Sequence, residues 1–102
     1  MSRRVQCPWV EFSEFYIELP DQWLGVHAQR RDKAIEAAKQ YGSQTITSFA
    51  ASLALLDNWN LPGLQGNPDK WDFTQIRLEL IAWVNEAVLV DFARCFQVPK
   101  NS

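Results

Sequence analysis

Apolar positions follow two different periods along this chain. In residues 8–19, PWVEFSEFYIEL, aromatic and β-branched types are set among carboxylates as in an extended segment. The alternation slips midway: Val10 and Phe12 share one side, whereas Phe15, Ile17 and Leu19 share the other. A bulge or tight turn near Ser13–Glu14 would aim both sets at one core, so the segment reads as a short hairpin or bulged strand. After Pro20 the apolar residues recur three and four apart, the spacing of a helix with one buried face. Three helices are expected, over 21–41, 45–57 and 75–96, with a turn-rich loop over 58–74.

Local signals set the ends of these elements. Asp21 offers an N-cap for the first helix, although Gly25 weakens its opening turn and would delay the start. His27 then lies in a Gln- and Arg-rich stretch and reads as solvated. Gly42 suits the residue just past the end of that helix. Thr45 or Thr47 can cap the second helix, whose buried positions are Phe49, Ala50, Leu53 and Leu56. In the loop, Pro62–Gly63 is the order a type II turn requires. Trp59, Leu61, Leu64 and Trp71 make this loop too apolar to remain in water.

The last helix carries Ile76, Leu80, Ile81, Val84, Val88, Phe92 and Cys95 as a stripe, which Trp83, Ala87, Leu89, Val90 and Phe96 widen. A helix apolar over most of its circumference is either central to the domain or shares a face with a partner. Val98–Pro99 is expected to end it. The fold class is therefore mainly α: a short N-terminal strand or hairpin followed by about three helices, in a single domain over 1–102.

Composition narrows the function. Five tryptophans in 102 residues is the unusual count, since each ring brings a large apolar area and an N–H that needs a partner. Either the core is very aromatic or part of that area is kept for another protein. Trp59, Trp71, Phe73 and Trp83 are read as core first and interface second. With Leu61, Leu64, Val90 and Phe96 they form the candidate protein-interaction set. The net charge of −2 gives no basic excess for phosphates, and Asp32 and Glu36 interrupt the basic run His27–Lys33, so no nucleic-acid partner is expected.

Chemistry-bearing groups are sparse. A single His leaves no Cys/His or Ser/His couple. Glu11, Glu14 and Glu18 cluster without a partner of recognisable role. Cys7 and Cys95 lack metal-ligand spacing and read as reduced thiols. No catalysis, cofactor or metal is expected. The apolar run over 78–90 is broken by Glu79, Asn85 and Glu86, so no membrane span is expected either.

Residues 57–88, DNWNLPGLQGNPDKWDFTQIRLELIAWVNEAV, resemble the C-terminal half of the tail assembly chaperones of long-tailed bacteriophages. Trp59–Asn60–Leu61, Gly66, Pro68, Leu80–Ile81 and Trp83–Val84 carry the likeness in order, and an extended opening with Leu19–Pro20 and Trp23 is compatible with it. The resemblance implies a protein of the host cytoplasm that coats the tape-measure protein, keeps it soluble and brings the tail-tube protein to it. It implies a homo-oligomer with apolar surface open to clients, for which the last helix and the Trp59–Trp71 loop are the candidates. It also implies a longer second product made by ribosomal slippage, and Lys100–Asn101 can be encoded by a slippery A-AAA-AAC. Two other roles fit the same composition: a minor structural or connector protein of the virion, and a small inhibitor of a host or defence protein.

Overall fold

A computed structural model describes residues 2–96, with the side chains of Cys95 and Phe96 left out. Val98–Pro99 and Lys100–Asn101 lie outside the described residues. Three antiparallel strands and three helices make up the fold: β1 (Arg3–Gln6), β2 (Tyr16–Leu19), α1 (Gly25–Ala38), α2 (Gln44–Ala54), β3 (Asn58–Trp59) and α3 (Leu78–Phe92). The helical character expected from the periodicity is present, together with a sheet larger than the sequence suggested.

The N-terminal hairpin is real but displaced. Its arms are β1 and β2, in the register Arg3↔Leu19 to Gln6↔Tyr16. Of the stretch expected to be extended, 8–19, the part before β2 is instead the connection, with a 3-10 turn at Val10–Phe12. This turn solves the slipped alternation by burying Phe12 while leaving Val10 91% exposed. β3 adds to β2 through Ile17↔Trp59 and Glu18↔Asn58, giving the order β1-β2-β3. Odd positions of β2 face inward, and Ile17 and Leu19 are buried. On the outer face the Arg4 guanidinium lies 4.0 Å from the Tyr16 ring and 2.8 Å from the Glu18 carboxylate.

α1 starts at Gly25 rather than Asp21, and its N-cap is Leu24. A 3-10 turn at Lys39–Tyr41 closes it, and Gly42 follows in the left-handed region at φ 61°. α2 is capped by Ser43, whose Oγ accepts from Ile46 N at 3.3 Å, and not by Thr45 or Thr47. It ends at Ala54, short of the expected 57. α3 runs from Leu78 to Phe92 and tightens into a 3-10 turn at Ala93–Phe96.

Packing makes α2 the central helix. It lies against both α1 and α3, and Phe49, Ala50 and Leu53 have no exposed surface. α3 turns Leu80, Ile81, Val84 and Val88 to the same core that holds Ile17 and Leu19. The wide apolar circumference of α3 thus does not make it central; the excess remains on its outside.

Candidate protein-binding surfaces

The 58–74 loop is a folded part of the core. Leu61 and Leu64 are fully buried, Trp71 and Phe73 nearly so, and Trp59 is half-buried. Their rings form an edge-to-face chain: Trp59–Trp71 at 5.7 Å, Trp71–Phe73 at 5.9 Å and Phe73–Phe49 at 5.9 Å. Each indole of the loop finds its acceptor nearby, Trp59 donating to Leu64 O at 2.6 Å and Trp71 to Gly66 O at 3.1 Å. Gly63 at φ 76° has the conformation a type II turn demands at that position, and Asp72 N donates back to Gly63 O at 2.9 Å. Leu61, Leu64, Trp71 and Phe73, offered by sequence as interaction residues, are therefore enclosed. The cause is that self-contained N–H satisfaction lets the rings leave water together.

Trp83 is also a core residue, 8% exposed, yet it lines an open groove. This groove, about 390 Å³, lies between the β1 side of the sheet and α3, where Val5, Pro8 and Leu19 line it with Trp83, Ala87 and Val90, and Glu86 and Asp91 add two carboxylates. Val90 is 61% exposed and Leu89 67%. At 3.6 residues per turn Leu78, Ala82 and Leu89 fall within about 40° of one another on the outside of α3. Leu78 is 69% exposed and Ala82 is exposed as well. Of the eight residues proposed from sequence, Val90 is on this surface, Trp83 borders it, and the Phe96 side chain lies outside the described residues. Sequence reasoning missed Leu78, Val5 and Pro8. The apolar run over 78–90 held the signal for the first, and nothing local marked the other two.

Polar groups near these surfaces mostly hold the fold. His27, expected in solvent, is buried, and its Nδ1 accepts from Leu24 N at 2.8 Å. That bond leaves the ring proton to Nε2, which points at Asp57 from 4.0 Å. Asp91 is buried at the end of α3 and receives Trp23 Nε1 at 3.0 Å and Arg3 Nη2 at 2.8 Å. It ties together the first strand, the β2–α1 connection and the last helix. Arg77 lies 5.1 Å from the Phe12 ring and pairs with Glu79 at 2.6 Å. That hydrogen-bonded pairing raises the Arg77 pKa and lowers that of Glu79. Glu18 is taken by Arg4. Among the described residues no group of three His, Cys, Asp or Glu side chains converges as a metal site, and no helix is long and apolar enough to cross a membrane.

Comparison with protein families, with curated proteins and with solved structures finds no match to this chain.

Proposed function

We propose that this protein is a non-catalytic binding module for other proteins, and that it serves as a tail assembly chaperone of a long-tailed bacteriophage. In this reading it holds the tape-measure protein soluble in the host cytoplasm, hands it to the tail-tube protein and self-associates when unoccupied. The observation that carries the binding role is the apolar outside of α3, where Leu78 and Leu89 stand exposed on one face and Val90 is exposed in the groove that Trp83 lines. Single exposed apolar residues are ordinary, but two on one face of a helix with a third in a groove beside it suit the apolar side chains of a client helix. The choice of client rests on the resemblance over residues 57–88. The Trp59–Trp71 loop enters as part of the core, packed on α1 and, through Phe73 and Phe49, on α2, and not as the contact surface first expected of it.

The test reads the gene and its products together. A slippery heptamer over the codons of Lys100 and Asn101, with a longer product sharing this N-terminus, supports the chaperone. Detection of the short chain in purified virions contradicts it and favours a structural component. Co-expression with the tape-measure protein supplies the direct measurement: the chaperone keeps it in the soluble fraction, and an inhibitor of a host protein leaves it insoluble.

A further inference from the structure

The two edges of the sheet are finished differently. β1 and β3 are its outer strands. At β3 the chain covers itself, because Gln65 Nε2 donates to Trp59 O at 3.1 Å and to Leu61 O at 3.3 Å. β1 has no such cover among the described residues. Cys7 N donates to Phe15 O at 2.9 Å, and hydrogen-bonded pairs alternate along an antiparallel ladder, so Arg3, Val5 and Cys7 turn their backbone groups to β2. Arg4 and Gln6 therefore turn their N–H and C=O groups the other way, out of the sheet, where no described group bonds them.

Edge strands are commonly guarded by charged side chains or by proline. The cations of β1 are instead drawn back onto their own molecule. Arg3 Nη2 reaches Asp91 at 2.8 Å, and Arg4 Nε and Nη2 reach Glu18 at 3.1 and 2.8 Å. What remains open is complementary to itself. Turned antiparallel about Val5, a second β1 sets its Gln6 opposite Arg4 and its Arg4 opposite Gln6. Each such pair exchanges two backbone hydrogen bonds, because both residues carry outward groups. Their side chains match as well: Arg4 Nη1 has no acceptor among the described residues, and Gln6, whose amide nitrogen donates to Ser13 O, keeps its oxygen free to accept. Neighbouring registers fail. Centring the pair on Arg4 sets two guanidinium groups face to face, and centring it on Gln6 brings Arg4 opposite Pro8, which has no N–H to give.

We infer that two copies of this chain pair through their β1 edges, antiparallel about Val5, into one continuous sheet. The second copy is selected because it supplies, by symmetry, backbone groups at the matching spacing and an acceptor for each spare Arg4 N–H. On the inner face the pairing sets Val5 against Val5, where the second side chain adds to the apolar wall formed by Val5, Leu19, Trp83 and Val90. The shared edge is short, so the dimer belongs with the small, reversible interfaces that bury less than about 1,200 Å². It rests on the register of the strands and stands or falls without the chaperone reading.

Sedimentation velocity of the full chain, from about 10 µM to about 1 mM, should show a monomer in exchange with a dimer. Two substitutions at one exposed position should then move that equilibrium in opposite directions. Gln6→Glu places a carboxylate opposite Arg4 twice in each dimer and should tighten it roughly fivefold, whereas Gln6→Arg sets cation against cation and should weaken it roughly tenfold. Both should keep the parent circular dichroism. Val5→Cys gives a positional check, since Val5 lies on the two-fold axis in a non-hydrogen-bonded pair, the closer of the two kinds. Mild oxidation should link the two copies, with mass spectrometry placing the bond between the introduced thiols; the Gln6 variants decide alone if Val5→Cys does not fold. A monomer at every concentration would overturn the inference. So would a dimer held equally by Gln6→Glu and Gln6→Arg, or one in which folded Val5→Cys stays unlinked.

Discussion

His27 shows how one side chain can be mistaken when only its neighbours in sequence are considered. Its surroundings are polar, yet it turns inward because Leu24, an N-cap with no oxygen of its own, leaves a backbone N–H to be met. His27 is the third residue of the helix, the place from which Glu or Gln reaches back in a capping box, and it supplies the acceptor that Leu24 N requires. His27→Ala should therefore cost about 1–2 kcal/mol in urea unfolding, combining a lost cap with an unmet donor. His27→Gln should recover most of it, since glutamine reaches the same N–H. Equal losses in the two variants would mean that ring packing against Trp23, at 5.4 Å, is what matters. Asp72 gives a second test at this scale. Its carboxylate accepts from Thr74 Oγ1 at 2.6 Å and Thr74 N at 3.0 Å, which lowers its pKa. A lowered folded value means that its contribution is present above the unfolded pKa and fades as pH falls through the folded one. Carbon-detected NMR should find Asp72 titrating below the ordinary aspartate range and moving part of the way back in Thr74→Ala, which loses the hydroxyl donor and keeps the backbone N–H.

Helices were legible where one period ran long enough to dominate, and capping was the harder part. Ser43, Thr45 and Thr47 can each cap a helix, and the backbone decides among them. Ser43 is extended at φ −126° and ψ 125°, one residue past the left-handed Gly42, so the helix begins beyond it. Ser43→Ala should cost about 1 kcal/mol, whereas Thr45→Ala, exposed in the first turn, should change chemical unfolding by less than about 0.5 kcal/mol. Strands were less legible for a different reason. β1 reads Arg-Arg-Val-Gln, with Val5 alone as an inward apolar residue, and β3 is two residues long. Neither presents an alternation to find; both exist because β2 lies between them with hydrogen-bonding groups on each side. Part of the candidate surface was hidden for the same cause, since Val5 and Pro8 reach α3 only through the hairpin.

Over the whole molecule, the tryptophans divide between holding the fold and edging its surface. Trp23 is hydrogen-bonded to Asp91, Trp59 and Trp71 are locked into the loop, and Trp9 is 42% exposed beside the first 3-10 turn. Trp83 has both roles, packed in the core and lining the groove that also holds Val90. This double position sets a test that separates stability from binding. Trp83→Ala should cost about 3–5 kcal/mol in chemical unfolding, because a large buried ring leaves a cavity its neighbours cannot fill. For a domain with an expected stability of about 5–15 kcal/mol, such a loss can abolish binding simply by unfolding the protein. Val90→Asp avoids that ambiguity. The residue is exposed, so stability should change by no more than about 0.5 kcal/mol, while a carboxylate joins Glu86 and Asp91 in the groove and takes the place of its exposed apolar contact. On the proposed chaperone role, Val90→Asp with parent stability and no ability to keep the tape-measure protein soluble is the expected outcome. Full solubilisation by Val90→Asp would move the client off α3, and a folded Trp83→Ala of parent stability would remove that ring from the core.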